Sequence, residues 1–508
     1  MKGTPRELQW LDYTPRLRLW PRAWPRPRGG KEIIGEAIWR RGEGWRILAE
    51  ACLICLAFWP AVCQEKGSLP PAGQIGDVVC ERDPTQSYAL YLPSIYAPAK
   101  RWPLIYFFDP GGHGRRPLEL YKDIAEKYGF VMVGSNNSRN FSSDESRSVN
   151  AVWQDTHQRL SWDGRLTYAS GFSGGARVAG LMALSCPQCQ IGGVIAHGAG
   201  YPTHWGEAKD KLLYFFAVGD QDFNWSEIMT IRRQREDKGL PYRVQVFPGP
   251  HQWAPAAVME DAVEWLWLRA MQAGSQPPDA VFIDRRLRSL QAAADDAEKR
   301  NDAIAELDAY RSLASDFTGL RDVTESEKKL AALKNSATLK AAMKNEQEQI
   351  AEQSELETEI LSTLRRYTSD DSDDLIALGN SIVQAMHRLK DQAEHSRSDT
   401  KRLVARRAFD GVWVAGIESG QEELESRHFE RAEACFDLLS KVRDDPWPML
   451  LLAETHAAAG NRKQAVRDLQ EAVRRGLTDV SVIESNDRLQ GLKADPEFQK
   501  LVLGLKHR

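Results

Sequence analysis

Leu166-Thr167-Tyr168-Ala169-Ser170-Gly171-Phe172-Ser173-Gly174-Gly175-Ala176-Arg177-Val178-Ala179-Gly180-Leu181-Met182-Ala183-Leu184 changes character twice. Its first five residues join a leucine to β-branched, aromatic and small side chains, which suits a buried strand. Its last nine, from Ala176, favour a helix. Between them Gly171-Phe172-Ser173-Gly174-Gly175 spells G-x-S-x-G. A serine on a sharp turn from strand to helix projects its Oγ above the sheet edge, beside the positive end of the helix. Gly171 and Gly175 allow the turn and let the helix pack close. A serine hydroxyl alone is a weak nucleophile, so this stretch predicts chemistry only if an acid and a histidine accompany it.

Both follow in order. Leu212 to Val218 is an apolar run of strand length ending in Gly219-Asp220-Gln221-Asp222. Tyr242 to Phe247 reads as another strand, closed by Pro248-Gly249-Pro250-His251-Gln252-Trp253. Ser173, then Asp222 or Asp220, then His251 each fall just past the carboxyl end of a predicted strand, where open parallel sheets carry their sites. A histidine so placed takes the serine proton during attack and returns it to the leaving group. A carboxylate holds the imidazole in the needed tautomer and stabilises the imidazolium.

On these residues the segment from about Gln86 to Met271 resembles the α/β-hydrolase superfamily. It is nearest in flavour to bacterial esterases of the dienelactone-hydrolase and polyhydroxybutyrate-depolymerase or feruloyl-esterase-like groups. The resemblance implies Ser173 as nucleophile and His251 as general base and acid. The superfamily's Gly-x-x-Asp habit favours Asp222 over Asp220 as the acid, the other aspartate then being a loop cap or turn former. One oxyanion donor is expected to be the backbone N–H of Gly174. The other is expected from Asp109-Pro110-Gly111-Gly112-His113-Gly114, which follows the apolar strand Pro103 to Phe108. This loop resembles the glycine-rich oxyanion loop of lipases and esterases, though not in their H-G-G-G order, and Gly111 or Gly112 is the expected donor. A plain strand-to-helix turn is the alternative. The implied activity is cleavage of a small-molecule carboxylic ester through an acyl-enzyme, with no cofactor and no metal. Two other readings stand beside it: a serine peptidase acting on short peptides, and a binding scaffold joined to an inactive hydrolase-like domain.

Several neighbours admit two roles. His197 and His113 either line the pocket or form structural hydrogen bonds, and His197 precedes the acid, out of triad order. Trp253 either walls the pocket or shields the histidine and its acid from water. Asn136-Asn137-Ser138-Arg139-Asn140 follows a predicted strand and either contacts substrate or makes a loop.

A chain of 508 residues is too long for one core and suggests two or three domains. A formal net charge of −4 offers no global signal for nucleic acid, and none is expected as a partner. Residues 1–46 differ: they are basic, hold five of the sixteen tryptophans among prolines and arginines, and show no apolar periodicity. Such a tract could meet nucleic acid or anionic lipid; disorder, or a translation start set too far upstream, is the expected reading. Next, Arg40, Arg41 and Arg46 precede the apolar run Ala51 to Trp59, and Ala61-Val62-Cys63 follows. Residues 47–63 therefore read as a secretory signal, shorter than the ~20 residues that span a bilayer. Cleavage is expected near Cys63 and Gln64, giving an exported, periplasmic or extracellular protein whose membrane contact is confined to this segment; an uncleaved anchor is the rival. Of the seven cysteines, Cys80, Cys186, Cys189 and Cys435 lie beyond the signal. In an exported protein the Cys186-Pro187-Gln188-Cys189 spacing is expected to be a local disulfide or two quiet thiols.

Strands and helices alternate through residues 80–273, predicting a doubly wound, mostly parallel sheet. Past Gly274-Ser275-Gln276-Pro277-Pro278 the composition turns to alanine, leucine, glutamate, lysine and glutamine, predicting an all-α region over 279–410. Acidic Asp370 to Asp374 is expected to be a solvated turn or helix start. Over 411–508, Phe429 to Phe436, Leu452 to Asn461, Ala465 and Ala472 resemble tetratricopeptide repeats. Ala432 and Ala465 are about one repeat apart, and Gly460-Asn461 is expected to turn between helices. That resemblance implies a concave face for a protein partner, or a cap on the preceding helices.

Overall fold

The computed structural model describes residues 69–140, 142, 144–201, 212–368, 374–484 and 486–506. The expectations for 1–46, for 47–63 and for the acidic run 370–373 lie outside them.

The strands are β1 (Ile75–Val79), β2 (Ser87–Tyr91), β3 (Trp102–Phe108), β4 (Val131–Ser135), β5 (Trp162–Phe172), β6 (Ile191–His197), β7 (Leu213–Gly219) and β8 (Tyr242–Phe247). They form one sheet in the order β1-β2-β4-β3-β5-β6-β7-β8. Only the β1–β2 and β2–β4 pairings are antiparallel. The parallel strands read as continuous apolar runs because both faces of the sheet are covered. Helices α1 (Arg115–Tyr128), α2 (Glu145–Arg159), α3 (Gly174–Ser185), α4 (Trp225–Asp237) and α5 (Ala256–Gln272) provide the cover. Alternate residues of a strand point to opposite faces. Leu104, Tyr106 and Phe108 accordingly join a core with α2, α3 and α4, while Ile105 and Phe107 join one with α1 and α5. The expected doubly wound, mostly parallel sheet followed by an all-α region is what the chain adopts.

The all-α region comprises α6 (Ala280–Lys299), α7 (Ala303–Asp316), α8 (Thr324–Lys334), α9 (Ala337–Thr368), α10 (Leu375–His395), α11 (Asp399–Glu425), α12 (Phe429–Val442), α13 (Pro446–Ala458), α14 (Arg462–Arg474), α15 (Val480–Glu484) and α16 (Pro496–Lys506). Aspartate or serine side chains at residues 279, 302, 374, 398 and 445 accept the first free N–H groups of α6, α7, α10, α11 and α13. In α11, Gly416 and Gly420 admit Leu439 and Phe436 of α12; a Cβ at Gly420 would lie 2.4 Å from the Phe436 ring. Ala432, Ala453, Ala465 and Ala472 are fully buried where α12, α13 and α14 meet, and Gly460 turns the chain at φ +86°.

Sheet and helices share one compact unit, Leu69–Arg508, because α5 is buried on two sides. Val258, Met259 and Val263 face the sheet, whereas Leu268 and Met271 face α6 and α7. The Trp265 indole N–H donates to Asp316 Oδ1 of α7 at 3.0 Å, and Arg243 of β8 pairs with the same carboxylate at 3.0 Å. Arg232 of α4 pairs with Glu346 of α9 at 2.6 Å. Two expected boundaries move. The sheet starts at Ile75 rather than 80, since Ile75–Val79 pairs in register with Ser87–Tyr91. The division at 410/411 falls inside α11, where Gly411 makes room for Phe223 and Glu357 instead of breaking the helix.

Candidate active site

Ser173 sits between the end of β5 and the start of α3 at φ 53°, ψ −122°, a strained conformation for a residue with a side chain. The turn is over-determined. The Ser173 N–H donates to the His197 carbonyl at 2.8 Å, and its own carbonyl accepts from the Ala176 N–H at 3.0 Å. A Cβ at Gly171 would meet the Gly175 carbonyl at 2.1 Å, and one at Gly175 would meet the Phe108 carbonyl at 2.0 Å. Only glycine lets β3, β5 and α3 approach this closely.

The loops after β7 and β8 bring the acid and the histidine together. His251 Nδ1 lies 2.9 Å from both Oδ1 and Oδ2 of Asp222. Because a carboxylate only accepts, Nδ1 carries the proton and Nε2 is left with a free lone pair. Asp222 is completely buried, and the Asn224 N–H donates to its Oδ1 at 2.8 Å. Asp220 turns away from the imidazole. Its Oδ1 accepts the Gly249 N–H at 2.9 Å, stitching the acid loop to the histidine loop. The imidazole is packed between Phe172 (ring centroids 4.5 Å) and Phe223 (4.3 Å), and keeps 19% of its surface exposed. Phe172 directly precedes Ser173, so the packing keeps the serine turn and the imidazole adjacent. Among the described residues no hydrogen bond joins Ser173 Oγ to Nε2; such contacts tighten when substrate is bound.

The glycine loop between β3 and α1 is organised by Asp109, only 2% exposed. Its Oδ1 accepts the Gly111 N–H at 2.9 Å, its Oδ2 the Trp253 indole N–H at 3.0 Å, and its carbonyl the Gly112 N–H at 3.0 Å. Both glycine N–H groups expected at the oxyanion are thus taken up by Asp109. Burial works to raise the Asp109 pKa, but the hydrogen bonds from His113, Trp253 and Gly111 outweigh it and hold the carboxyl below its usual range. His113, 3.3 Å from Oδ1, has its pKa raised mainly by that bond, with burial opposing. Trp253 therefore ties the histidine loop to the glycine loop. His197 is structural: it is fully buried, meets Ser170 Oγ at 3.2 Å through Nε2, and burial drives its pKa down to about 3.

Of the asparagine-rich stretch, Asn136 and Asn137 bond to β2, Asn136 Nδ2 to Ser87 Oγ at 3.2 Å and Asn137 Oδ1 to the Ser87 N–H at 2.8 Å. Asn140 instead lies beside Gly174. Cys186 and Cys189 are joined as a disulfide just past α3, and Cys80 and Cys435 are buried thiols that burial pushes up to about 12.

The helical region also reaches the site, and nothing local in the sequence announced it. Arg407 of α11, 2% exposed, donates from Nε to the Asp220 carbonyl at 2.7 Å, 187 positions away, and stacks over Trp225 at 3.8 Å. Gln353 of α9 donates to the Phe223 carbonyl and to Glu357 Oε1, each at 2.8 Å. Burial raises the pKa of Asp410 and Glu418 of α11, against the lowering charges of Arg443 and Arg177 respectively. Among the described residues, no group of three or more His, Cys, Asp or Glu side chains is arranged to hold a metal ion, and no helix is long and apolar enough to cross a membrane.

No protein-family model and no curated protein matches the sequence. Solved structures similar to part of the chain include an S-formylglutathione hydrolase from Staphylococcus aureus, 14% identical over 39% of this chain and 99% of that one, at a TM-score of 0.31. Another is a fluorophosphonate-binding serine hydrolase of the same organism, 13% identical over 38% of this chain and 99% of that one, at 0.32. Esterase 2 of Thermogutta terrifontis, phosphorylated by paraoxon, is 14% identical over 41% of this chain and 98% of that one, at 0.33. These values carry no weight for the chemistry, which rests on the geometry above.

Proposed function

We propose that this protein is a serine hydrolase that cleaves carboxylic esters through an acyl-enzyme. The observation that carries the reading is the buried Asp222 carboxylate centred on His251 Nδ1, next to a serine held in a strained strand-to-helix turn. Ser173 Oγ attacks the ester carbonyl while Nε2 takes its proton. The electron pair of the carbonyl moves onto oxygen, and its return expels the alcohol, which receives the proton from His251. Water then repeats the sequence on the acyl-serine and releases the acid. Asp222 stabilises the imidazolium formed in each half.

Hydrolysis of p-nitrophenyl acetate and butyrate by protein starting at Gln64, beside its Ser173→Ala variant, tests the proposal. Loss of most of the turnover, up to ~10⁶-fold where nucleophile and base act as a unit, is expected, with labelling by a fluorophosphonate probe confined to Ser173. Equal inertness of both folded proteins would sink it. A matched panel of amide substrates separates esterase from peptidase.

We also propose export, supported by the signal-like segment 47–63 and by the Cys186–Cys189 disulfide, since disulfides persist in oxidising compartments. Fractionation of a bacterium expressing the full chain, with N-terminal sequencing, should find mature protein beginning near Gln64. Retention of the intact chain in the cytoplasm would refute it.

A further inference from the structure

An ester-cleaving serine needs at least two donors aimed at the oxygen that becomes negative. Gly174 N–H, the first of α3, has no partner within the helix and can be one. The glycine loop does not offer the second, because the Gly111 and Gly112 N–H groups are both engaged by Asp109. Asp109 is itself fixed by Trp253, so turning these groups outward would break several bonds at a buried carboxylate.

A different group stands at the nucleophile. Asn140 is laced to the glycine loop by its backbone: its N–H donates to the Pro110 carbonyl at 2.8 Å, and the preceding Arg139 forms an antiparallel bridge with Gly111. This puts the Asn140 carboxamide against Gly174. A Cβ at Gly174 would lie 1.9 Å from Oδ1, 2.8 Å from Cγ and 3.0 Å from Nδ2 of Asn140, so the carboxamide fills the space a side chain at 174 would need. That gives a reason for glycine immediately after the serine. Among the described residues the half-buried carboxamide makes no hydrogen bond, unlike Asn136 and Asn137 of the same stretch. Rotation about its Cβ–Cγ bond exchanges oxygen and nitrogen, so its NH₂ can take the place beside Gly174 that Oδ1 holds.

We propose that Asn140 is a catalytic residue whose side-chain N–H, together with the Gly174 backbone N–H, holds the oxyanion of the tetrahedral intermediate. As Ser173 Oγ bonds to the carbonyl carbon, the π pair becomes the lone pair of an alkoxide that accepts both hydrogen bonds. When the pair returns to re-form C=O, the bond to the leaving alcohol breaks and that oxygen takes the proton held by His251. The inference rests on the serine-hydrolase reading above and deepens it.

Steady-state kinetics on p-nitrophenyl acetate for wild type, Asn140→Ala, Gly174→Ala and Ser173→Ala, with thermal unfolding of each, test it. Asn140→Ala should lower kcat ~10²–10³-fold with KM little changed, the loss typical of a side-chain donor removed from an oxyanion site. Gly174→Ala keeps the backbone N–H but displaces the carboxamide, so it should reproduce most of that loss. The double variant should then be no worse than either single one. If Asn140→Ala and Gly174→Ala both keep kcat within about threefold of wild type while Ser173→Ala is dead, Asn140 is not a donor and the hydrolase reading survives. Should Asn140→Ala fail to fold, a fully active Gly174→Ala overturns the proposal and a ~10²-fold loss in it supports the proposal. Turnover persisting in Ser173→Ala would remove the hydrolase reading itself.

Discussion

Asp220 and Asp222 stand two positions apart with different roles, and the difference is measurable. Asp222 is wholly buried and faces Nδ1 of His251 with both oxygens, so its charge is available to an imidazolium. Asp222→Asn would place an amide there and favour the wrong tautomer, and kcat should fall by ~10⁴. Asp220 holds the Gly249 N–H, so Asp220→Asn should cost about 1 kcal/mol of stability and much less activity. Activity assays and thermal unfolding of the two variants check this. Equal losses of activity would mean that the loop as a whole, rather than Asp222, carries the effect.

Among the elements, α9 and α11 act on the site without touching its reacting atoms. Arg407 braces the acid loop from above through the Asp220 carbonyl and the Trp225 ring. A hydrogen bond to a charged group contributes ~1.5–3 kcal/mol, so Arg407→Ala should lower kcat/KM by roughly 10–10²-fold, with the loss in kcat rather than KM. Arg407→Lys, which keeps the charge but not the fork, should recover only part of it. Unchanged kcat in a folded Arg407→Ala would show that the loop holds itself. Glu357 lies between the same helices, beside Gly411, and its pKa is raised to about 7 by burial, against a lowering bond from Gln353. The unfolded carboxyl titrates near 4.3. Between pH 4.3 and about 7 the unfolded chain has lost the proton that the folded one still holds, so stability falls as pH rises through this window, by roughly 1–3 kcal/mol. Glu357→Gln should therefore unfold at higher urea than wild type at pH 8 and match it at pH 4. A constant difference at both pH values would exclude the titration of Glu357 as its cause.

At the scale of the whole molecule, the sheet with α1 to α5 is not a free-standing unit. Helix α5 has one apolar face on the sheet and another on α6 and α7, and Asp316 of α7 satisfies both the Trp265 indole and Arg243. Ending the chain after Gln276 would expose Leu268 and Met271 and leave Arg232 without Glu346. Burial of each large apolar side chain contributes ~1.5–3 kcal/mol, and a buried arginine stripped of its partner costs more. Protein spanning 64–276 should be aggregation-prone, with no cooperative thermal transition and little esterase activity. A soluble, fully active fragment would show the helices to be dispensable.

The local features were legible because local physics sets them. The apolar runs around Leu104, Thr167, Phe215 and Val244 have strand length and strand-forming residues, G-x-S-x-G carries its own turn, and the change past Pro278 carries helix propensity; each needs only neighbours in the chain. The strand-end positions of Ser173, Asp222 and His251 were readable for the same reason. Whether Asp220 or Asp222 meets the imidazole, whether Gly111 and Gly112 face outward or onto Asp109, and what lies against the acid loop are of another kind. They depend on Gly249, Trp253 and Arg407, residues that reach their partners across 29, 144 and 187 positions of chain. A hydrogen bond or a stacked ring leaves no periodic trace when its partners are so far apart, so those choices belong to the folded structure.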